Sequence, residues 1–144
     1  MTEIYLVAVD GSSASHRALR YTAERAKASG AKVVLAHVLE WSPYSFLTKE
    51  ELEERHARRK QEVARAETIV LGPMQKILAD QGLDAQSVVR YGHVTETLCE
   101  IAKEFNATQI VVGRMGQSGL TARLFGSVAG TLAQAAPVPC TIVP

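Results

Sequence analysis

The residues with the clearest chemical potential lie in one glycine-rich stretch of the C-terminal third of the chain. It contains Gly113 and Gly116, then nine residues, then Gly126 followed directly by Ser127. Because glycine has no Cβ atom, backbone N–H groups beside it can approach an anion closely. Ser127 opens a helical pattern, and the first amides of a helix also attract anions. The spacing predicts a phosphate-binding loop, while a plain turn with Ser127 as a helix cap remains the alternative.

The charges of the chain fit a small anionic ligand better than a large one. Arg114 and Arg123 are the basic residues near the glycines, and the Ser127 hydroxyl can donate to a phosphate oxygen. The whole sequence has 16 Lys and Arg against 15 Asp and Glu, a net charge of +1. This balance argues against nucleic-acid binding through bulk charge, but a phosphate held by backbone amides needs few formal charges.

Several catalytic and metal-binding motifs are missing. The sequence has no G-x₄-G-K-[ST] loop and no G-x-G-x-x-G after its first strand-like segment, which excludes a P-loop NTPase and a dinucleotide fingerprint. Ser118 does not stand in a G-x-S-x-G motif. The four histidines lack metal-ligand spacing; His93 is expected at the carboxyl end of strand 3, on the ligand face but at the far edge of the sheet. We therefore predict no catalytic residue and no metal ligand.

Strand-like and helix-like patterns alternate along the chain and predict a single (βα)₄β domain over residues 1–144. Short apolar runs predict strands, and longer stretches with helical spacing predict the helices between them. Thr48 to Glu51 has the form of a capping box at the start of a long helix. Gly72-Pro73 lies inside this helix and should either kink it or split it. The predicted strands are 4–9, 32–39, 85–91, 109–113 and 138–143, and the predicted helices are 13–29, 49–81, 94–105 and 127–134.

Five strands joined by right-handed crossovers can have the order 3-2-1-4-5 or 2-1-3-4-5. We predict 3-2-1-4-5, because it places the turn at Asp10–Ser13 beside the glycine-rich loop at the carboxyl ends of strands 1 and 4. The result is an α/β fold with a doubly wound parallel sheet and helices on both faces. Asp10 then either faces the ligand or caps the first helix, a task that Ser12 or Ser13 can also perform.

The glycine pattern G-x₂-G-x₉-G-S, placed after the fourth strand, resembles the nucleotide-binding signature of the universal stress protein family. Further landmarks of that family follow in order over essentially all 144 residues. The resemblance implies a Rossmann-like fold of the adenine nucleotide α-hydrolase type and membership of the branch that binds ATP, with or without Mg²⁺. The matching segments are 7–12 (VAVDGS), His37-Val38, Tyr91-Gly92, 107–113 (ATQIVVG), 126–129 (GSVA) and 138–143 (VPCTIV).

The resemblance also implies roles for individual positions. Asp10 and Val38 would line the adenine end of the site, and Gly113 and Gly116 would approach the ribose and phosphates. Arg114, between these glycines, is counted with the binding residues for its positive charge. Gly126 and Ser127, which close the pattern, would hold the phosphate tail, and Val128 would lie just behind them. The first hypothesis is thus an ATP-binding regulatory protein of the stress response. The alternatives are a slow ATPase or autophosphorylating enzyme, and a nucleotide-free dimeric scaffold.

The last strand predicts how the chain assembles, and other features of the sequence predict where it is located. Strand 5 would be an apolar edge, 138–143, which proteins normally cover, and the family resemblance implies a homodimer through it. Pro139 lacks a donor and would limit the pairing to 140–143. The chain has no run of some 18 apolar residues, and its start, Met1-Thr2-Glu3, carries an acidic residue where a signal peptide would be basic, so we expect a cytoplasmic protein without a membrane partner. Its two cysteines are expected to be reduced thiols in the core.

Overall fold

The structure is a computed structural model that describes residues 2–40, 48–114 and 127–144. The predicted 41–47 loop and most of the glycine-rich loop lie outside these residues. The elements follow the predicted alternation, although the last strand begins at Cys140 instead of Val138. The strands are β1 (Ile4–Ala8), β2 (Lys32–Leu39), β3 (Ala85–Tyr91), β4 (Gln109–Gly113) and β5 (Cys140–Val143). The helices are α1 (Ser13–Ser29), α2 (Lys49–Arg65), α3 (Gly72–Asp80), α4 (Val94–Glu104) and α5 (Ser127–Ala135).

The described strands form a five-stranded parallel sheet in the order β3-β2-β1-β4-β5, which confirms the predicted order. β1 lies at the centre, where Leu6 pairs with Val34 of β2 and with Ile110 of β4. A central parallel strand is covered on both faces, which explains why β1 is an almost continuous apolar run. The direction of winding reverses between β1 and β4.

Helices cover both faces of the sheet, as predicted for a doubly wound fold. On one face α1 and α3 contribute the fully buried Leu19 and Leu78, which belong to one apolar cluster with Val7 of β1. On the other face α4 and α5 contribute Leu98 and Leu132, packed in a second cluster. Burying a leucine contributes roughly 1.5–3 kcal/mol, so these two layers fix the strands whose ends form the site.

The helical region after the 41–47 loop begins as predicted and then departs from a regular α-helix. The Thr48 hydroxyl accepts the Glu51 N–H, and the Thr48 N–H donates to Glu51 Oε2, both at 3.2 Å. Residues Ala66–Leu71 form a π-helical segment that joins α2 to α3, and the Gly72 N–H donates to the Glu67 carbonyl five residues earlier. The helix therefore widens just before Pro73, which lacks an N–H, instead of breaking there.

Other features of the described residues bear on function less directly. None of the described helices has the length and apolar character needed to cross a lipid bilayer. Within 2–40, 48–114 and 127–144, no three His, Cys, Asp or Glu side chains are grouped to hold a metal ion. Cys99 and Cys140 are free thiols that pack half-buried against the α4–α5 face, and desolvation raises the pKa of each.

Candidate functional site

The carboxyl ends of β1 and β4 lie side by side at the point where the sheet changes direction. In open parallel sheets, ligands bind in the crevice outside the strand ends at such a switch point. Here β1 leads into the turn before α1, and β4 leads through Gly113 and Arg114 into the glycine-rich loop. Of the predicted loop residues, Gly116, Gly126 and Arg123 lie outside the described part of the chain.

A tight turn carries the chain from β1 into α1. Gly11 takes a φ of 82°, in the left-handed region that glycine adopts without strain. The Ser12 N–H donates to Asp10 Oδ1 at 2.9 Å, and Ser12 Oγ accepts the Ser15 N–H at 3.1 Å. Ser12 is therefore the N-cap of α1, and Asp10 shapes the turn before it. Among the described residues, no donor reaches the other carboxylate oxygen of Asp10.

Gly113 joins the end of β4 directly to the first turn of α1. A Cβ atom built on Gly113 would lie 2.8 Å from Ala14 Cβ and 2.9 Å from both Ala14 C and Ala14 O. These distances are too short for any side chain unless the backbone shifts, so the absence of a side chain brings the amides of the α1 N-terminus to the end of β4. The sequence predicted a ligand contact for Gly113, and the structure adds a packing role.

Val38 presents backbone groups to the same crevice. Consecutive residues of a parallel strand direct their N–H and C=O groups to opposite neighbours. The Ala36 carbonyl accepts the Val9 N–H at 2.9 Å on the β1 side, and the Leu39 carbonyl accepts an N–H at 2.9 Å on the β3 side. The N–H and C=O of Val38 therefore face the β1 side. Because β1 ends at Ala8, no described backbone group pairs with them there.

His37 is a site residue that the sequence reasoning missed. Its Nδ1 lies 2.7 Å from the Val9 carbonyl oxygen, at the end of β1. The signal was a polar residue inside an otherwise apolar strand, directly before Val38. From the sequence, His37 is part of the landmark His37-Val38 and one of four histidines without metal-ligand spacing, because histidine spacing does not show which backbone group lies opposite.

The remaining predicted residues occupy different parts of the site. Ser127 begins α5, as predicted, and Val128 packs half-buried against the α4–α5 face. Arg114 is exposed, and its N–H donates to the Val143 carbonyl at 2.8 Å. His93 is exposed at the start of α4, after the edge strand β3, so the structure does not bring it to the β1–β4 crevice.

Comparison with known proteins gives a consistent assignment. The family model described as the universal stress protein family matches residues 1–144. The chain belongs to the universal stress protein family. It is 30% identical to universal stress protein YxiE of Bacillus subtilis, with 96% of each chain covered. It is 33% identical to a universal stress protein of Mycolicibacterium smegmatis over 96% of this chain, which spans about half (47%) of that relative's length.

Solved structures agree on the fold. Universal stress protein UspA from Lactobacillus plantarum superimposes with a TM-score of 0.84 at 21% identity, covering 99% of this chain and 97% of the other. A universal stress protein crystallised in complex with cAMP has a TM-score of 0.66 at 26% identity, with 99% and 96% covered. One from Archaeoglobus fulgidus in complex with dAMP has a TM-score of 0.62 at 22% identity, with 100% and 98% covered. The five-stranded Rossmann-like sheet is thus the fold of this family.

Proposed function

We propose that this universal stress protein is a regulatory binding protein whose ligand is an adenine nucleotide, ATP, held at the β1–β4 crevice. The observation that carries the proposal is the orientation of the Val38 N–H and C=O. Both face the β1 side of β2, past the point where β1 ends. Related structures with cAMP and dAMP support the ligand class. The start of α1, held against β4 by Gly113, adds a positive helix end to the same crevice.

The Val38 backbone matches adenine and mismatches guanine. Adenine offers an acceptor at N1 beside a donor at N6, which pair with the N–H and C=O of one residue. Guanine offers a donor at N1 and an acceptor at O6, so both contacts become repulsive. Sites built around such hydrogen bonds reject the mismatched ligand strongly, because the buried groups are left unpaired.

Base discrimination by the nucleotide-free protein tests the adenine end. Calorimetry should show ATP and AMP binding at least roughly 100-fold more tightly than GTP and GMP. Denaturing the protein as purified and weighing any released small molecule should identify an adenine nucleotide. Equal affinity for the guanine nucleotides, or no binding of any nucleotide, would contradict the proposal.

The phosphate end of the proposed site rests on the sequence pattern G-x₂-G-x₉-G-S. Valine at Gly126 would place a branched side chain where the pattern predicts phosphate, so Gly126→Val should abolish ATP binding without unfolding the protein. Gly82→Val is the control, because Gly82 has a positive φ of 73° but lies in the turn after α3, away from the crevice. Unchanged ATP affinity in Gly126→Val would contradict phosphate binding at this loop and would mean that its glycines only allow the chain to turn.

We also propose that the working unit is a homodimer paired through β5. This strand lies at the edge of the sheet, and its four residues are half-buried. The N–H groups of Ile110 and Arg114 bond the carbonyls of Pro139 and Val143, so by alternation Cys140 and Ile142 direct their backbone groups outward. Within the described residues no strand pairs with these outward groups, and an edge of this kind is a template for a second strand.

Light scattering at micromolar concentration should give twice the chain mass of 15.6 kDa. Ile142→Pro removes the outward N–H and should give monomers. Ile142→Ala is its control, because it loses the same apolar contacts but keeps the N–H, and it should remain dimeric. A monomeric wild-type protein would contradict this part of the proposal.

A further inference from the structure

The side chain of His37 takes the place of a backbone donor at the end of β1. Its Nδ1 lies 2.7 Å from the Val9 carbonyl oxygen. A carbonyl oxygen can only accept, so Nδ1 carries the proton and donates it. His37 is half-buried and Val9 is 3% exposed, so this carbonyl depends on the protein for its hydrogen bond.

In a regular parallel ladder the Val9 carbonyl would have a different partner. The Val9 N–H already donates to the Ala36 carbonyl, so the next bond in register would run from the Val38 N–H to the Val9 carbonyl. The structure does not make that bond, and the imidazole supplies the proton instead. One side chain thus satisfies Val9 and leaves the donor of Val38 unused by the ladder.

We infer that His37 is a positioning residue, which ends the β1–β2 ladder at Val9 and so keeps the Val38 N–H available to the base of a nucleotide. The inference rests on the proposed function for its ligand, but its structural part stands without one. Without the imidazole, the Val9 carbonyl would need another donor, and the Val38 N–H is the next one in register. The ladder would then extend by one bond and consume the donor that adenine N1 requires.

Two substitutions separate this role from simple packing. His37→Leu has a side chain of similar size without a donor, whereas His37→Asn carries an N–H at the same number of bonds from the backbone as Nδ1. Calorimetry with AMP should show an affinity loss of at least about tenfold for His37→Leu, since one hydrogen bond to the base is lost. His37→Asn should rescue AMP affinity to within about threefold of wild type.

Amide hydrogen exchange in the nucleotide-free protein gives a second readout that a packing role would not move. The Val38 amide should exchange fast in wild type and in His37→Asn, and at least about tenfold more slowly in His37→Leu, where it joins the ladder. Long-range ¹H–¹⁵N NMR of the wild-type imidazole should show the proton on Nδ1, a measurement that needs no variant to fold.

The outcomes distinguish this inference from the proposed function. If wild type binds AMP and His37→Leu binds it equally well, the inference is wrong and the proposed function stands. If no nucleotide binds, the proposed function is wrong, and the exchange rate of Val38 still decides whether His37 ends the ladder. A neutral imidazole with its proton on Nε2 and none on Nδ1, or equal Val38 exchange in all three proteins, would overturn the inference.

Discussion

Gly113 lies so close to Ala14 that a Cβ atom at position 113 would stand 2.8 Å from the Ala14 Cβ. Two segments far apart in sequence, the end of β4 and the first turn of α1, are therefore in direct contact. The backbone of Ala14 forms part of this contact, so neither partner can yield by rotating a side chain. The position of the α1 N-terminus depends on this one missing methyl group.

Gly113→Ala should consequently move the start of α1 and lower the free energy of unfolding by about 1–3 kcal/mol, the usual effect of overpacking. Nucleotide affinity should fall as well, because the amides of α1 leave the crevice. The control is Gly30→Ala: Gly30 has open space around it but a φ of 73°, so it should cost about 1–2 kcal/mol of strain without changing affinity. Urea unfolding measures the stability of each variant, and calorimetry measures its nucleotide affinity. A loss of affinity in Gly30→Ala would contradict this explanation.

Ser12→Ala removes the N-cap of α1. The Ser12 hydroxyl accepts the Ser15 N–H at 3.1 Å, and losing such a cap costs about 0.5–2 kcal/mol. Urea unfolding should show this loss, whereas Ser29→Ala, which removes an exposed hydroxyl bonded to the Arg25 carbonyl, should stay within about 0.5 kcal/mol. Equal stability of the two variants would mean that Asp10 can take over the cap.

Asp10→Asn separates the role of Asp10 in the turn from its proposed contact with the nucleotide. Asparagine keeps the Oδ1 that accepts the Ser12 N–H, so the free energy of unfolding should change by less than about 0.5 kcal/mol. Nucleotide affinity should fall roughly tenfold, because the other carboxylate oxygen, an acceptor predicted to lie at the adenine end of the site, becomes a donor. Removing a negative charge would by itself favour a phosphate ligand, so tighter binding in calorimetry would show that Asp10 does not contact the nucleotide.

Tyr91 should make stability depend on alkaline pH. Desolvation and the hydrogen bond to Glu62, at 2.6 Å, raise the pKa of Tyr91 from 10.0 to about 12. The folded chain then keeps this proton at pH values where the unfolded chain loses it, so the contribution is complete below pH 10 and is lost as the pH rises towards 12. The difference in urea midpoint between wild type and Tyr91→Phe should be smaller at pH 11.5 than at pH 9. A constant difference between them would contradict this assignment.

Much of the architecture could be predicted because local patterns determine it. The apolar runs, Gly30 after α1 and the Thr48 capping box are visible in short windows of sequence, and the strand order followed from requiring the two loops to meet. These features depend on neighbours along the chain and on right-handed crossovers, which hold for nearly all parallel sheets.

The details of the site could not be predicted in this way, because they depend on contacts between distant segments. The packing of Gly113 on Ala14 and the bond from His37 to Val9 become visible only when β1, β2 and β4 are aligned in register. The sequence left open whether Asp10 or a serine caps α1. Ser12 takes that place because Asp10 is used to close the turn before it.

The π-helical segment Ala66–Leu71 also sets the rotational phase between two parts of one long helix. Each residue of an α-helix turns the chain by about 100°. The Gly72 N–H bonds the carbonyl five residues earlier, whereas an α-helix uses the carbonyl four residues earlier, so this turn contains one extra residue. Before it, α2 has no buried residue yet holds Arg59 over the Tyr91 ring at 5.1 Å; after it, Met74 is buried in the core. Deleting one residue there would restore a regular helix but turn α2 by about 100° relative to α3, which would carry Arg59 away from the Tyr91 ring.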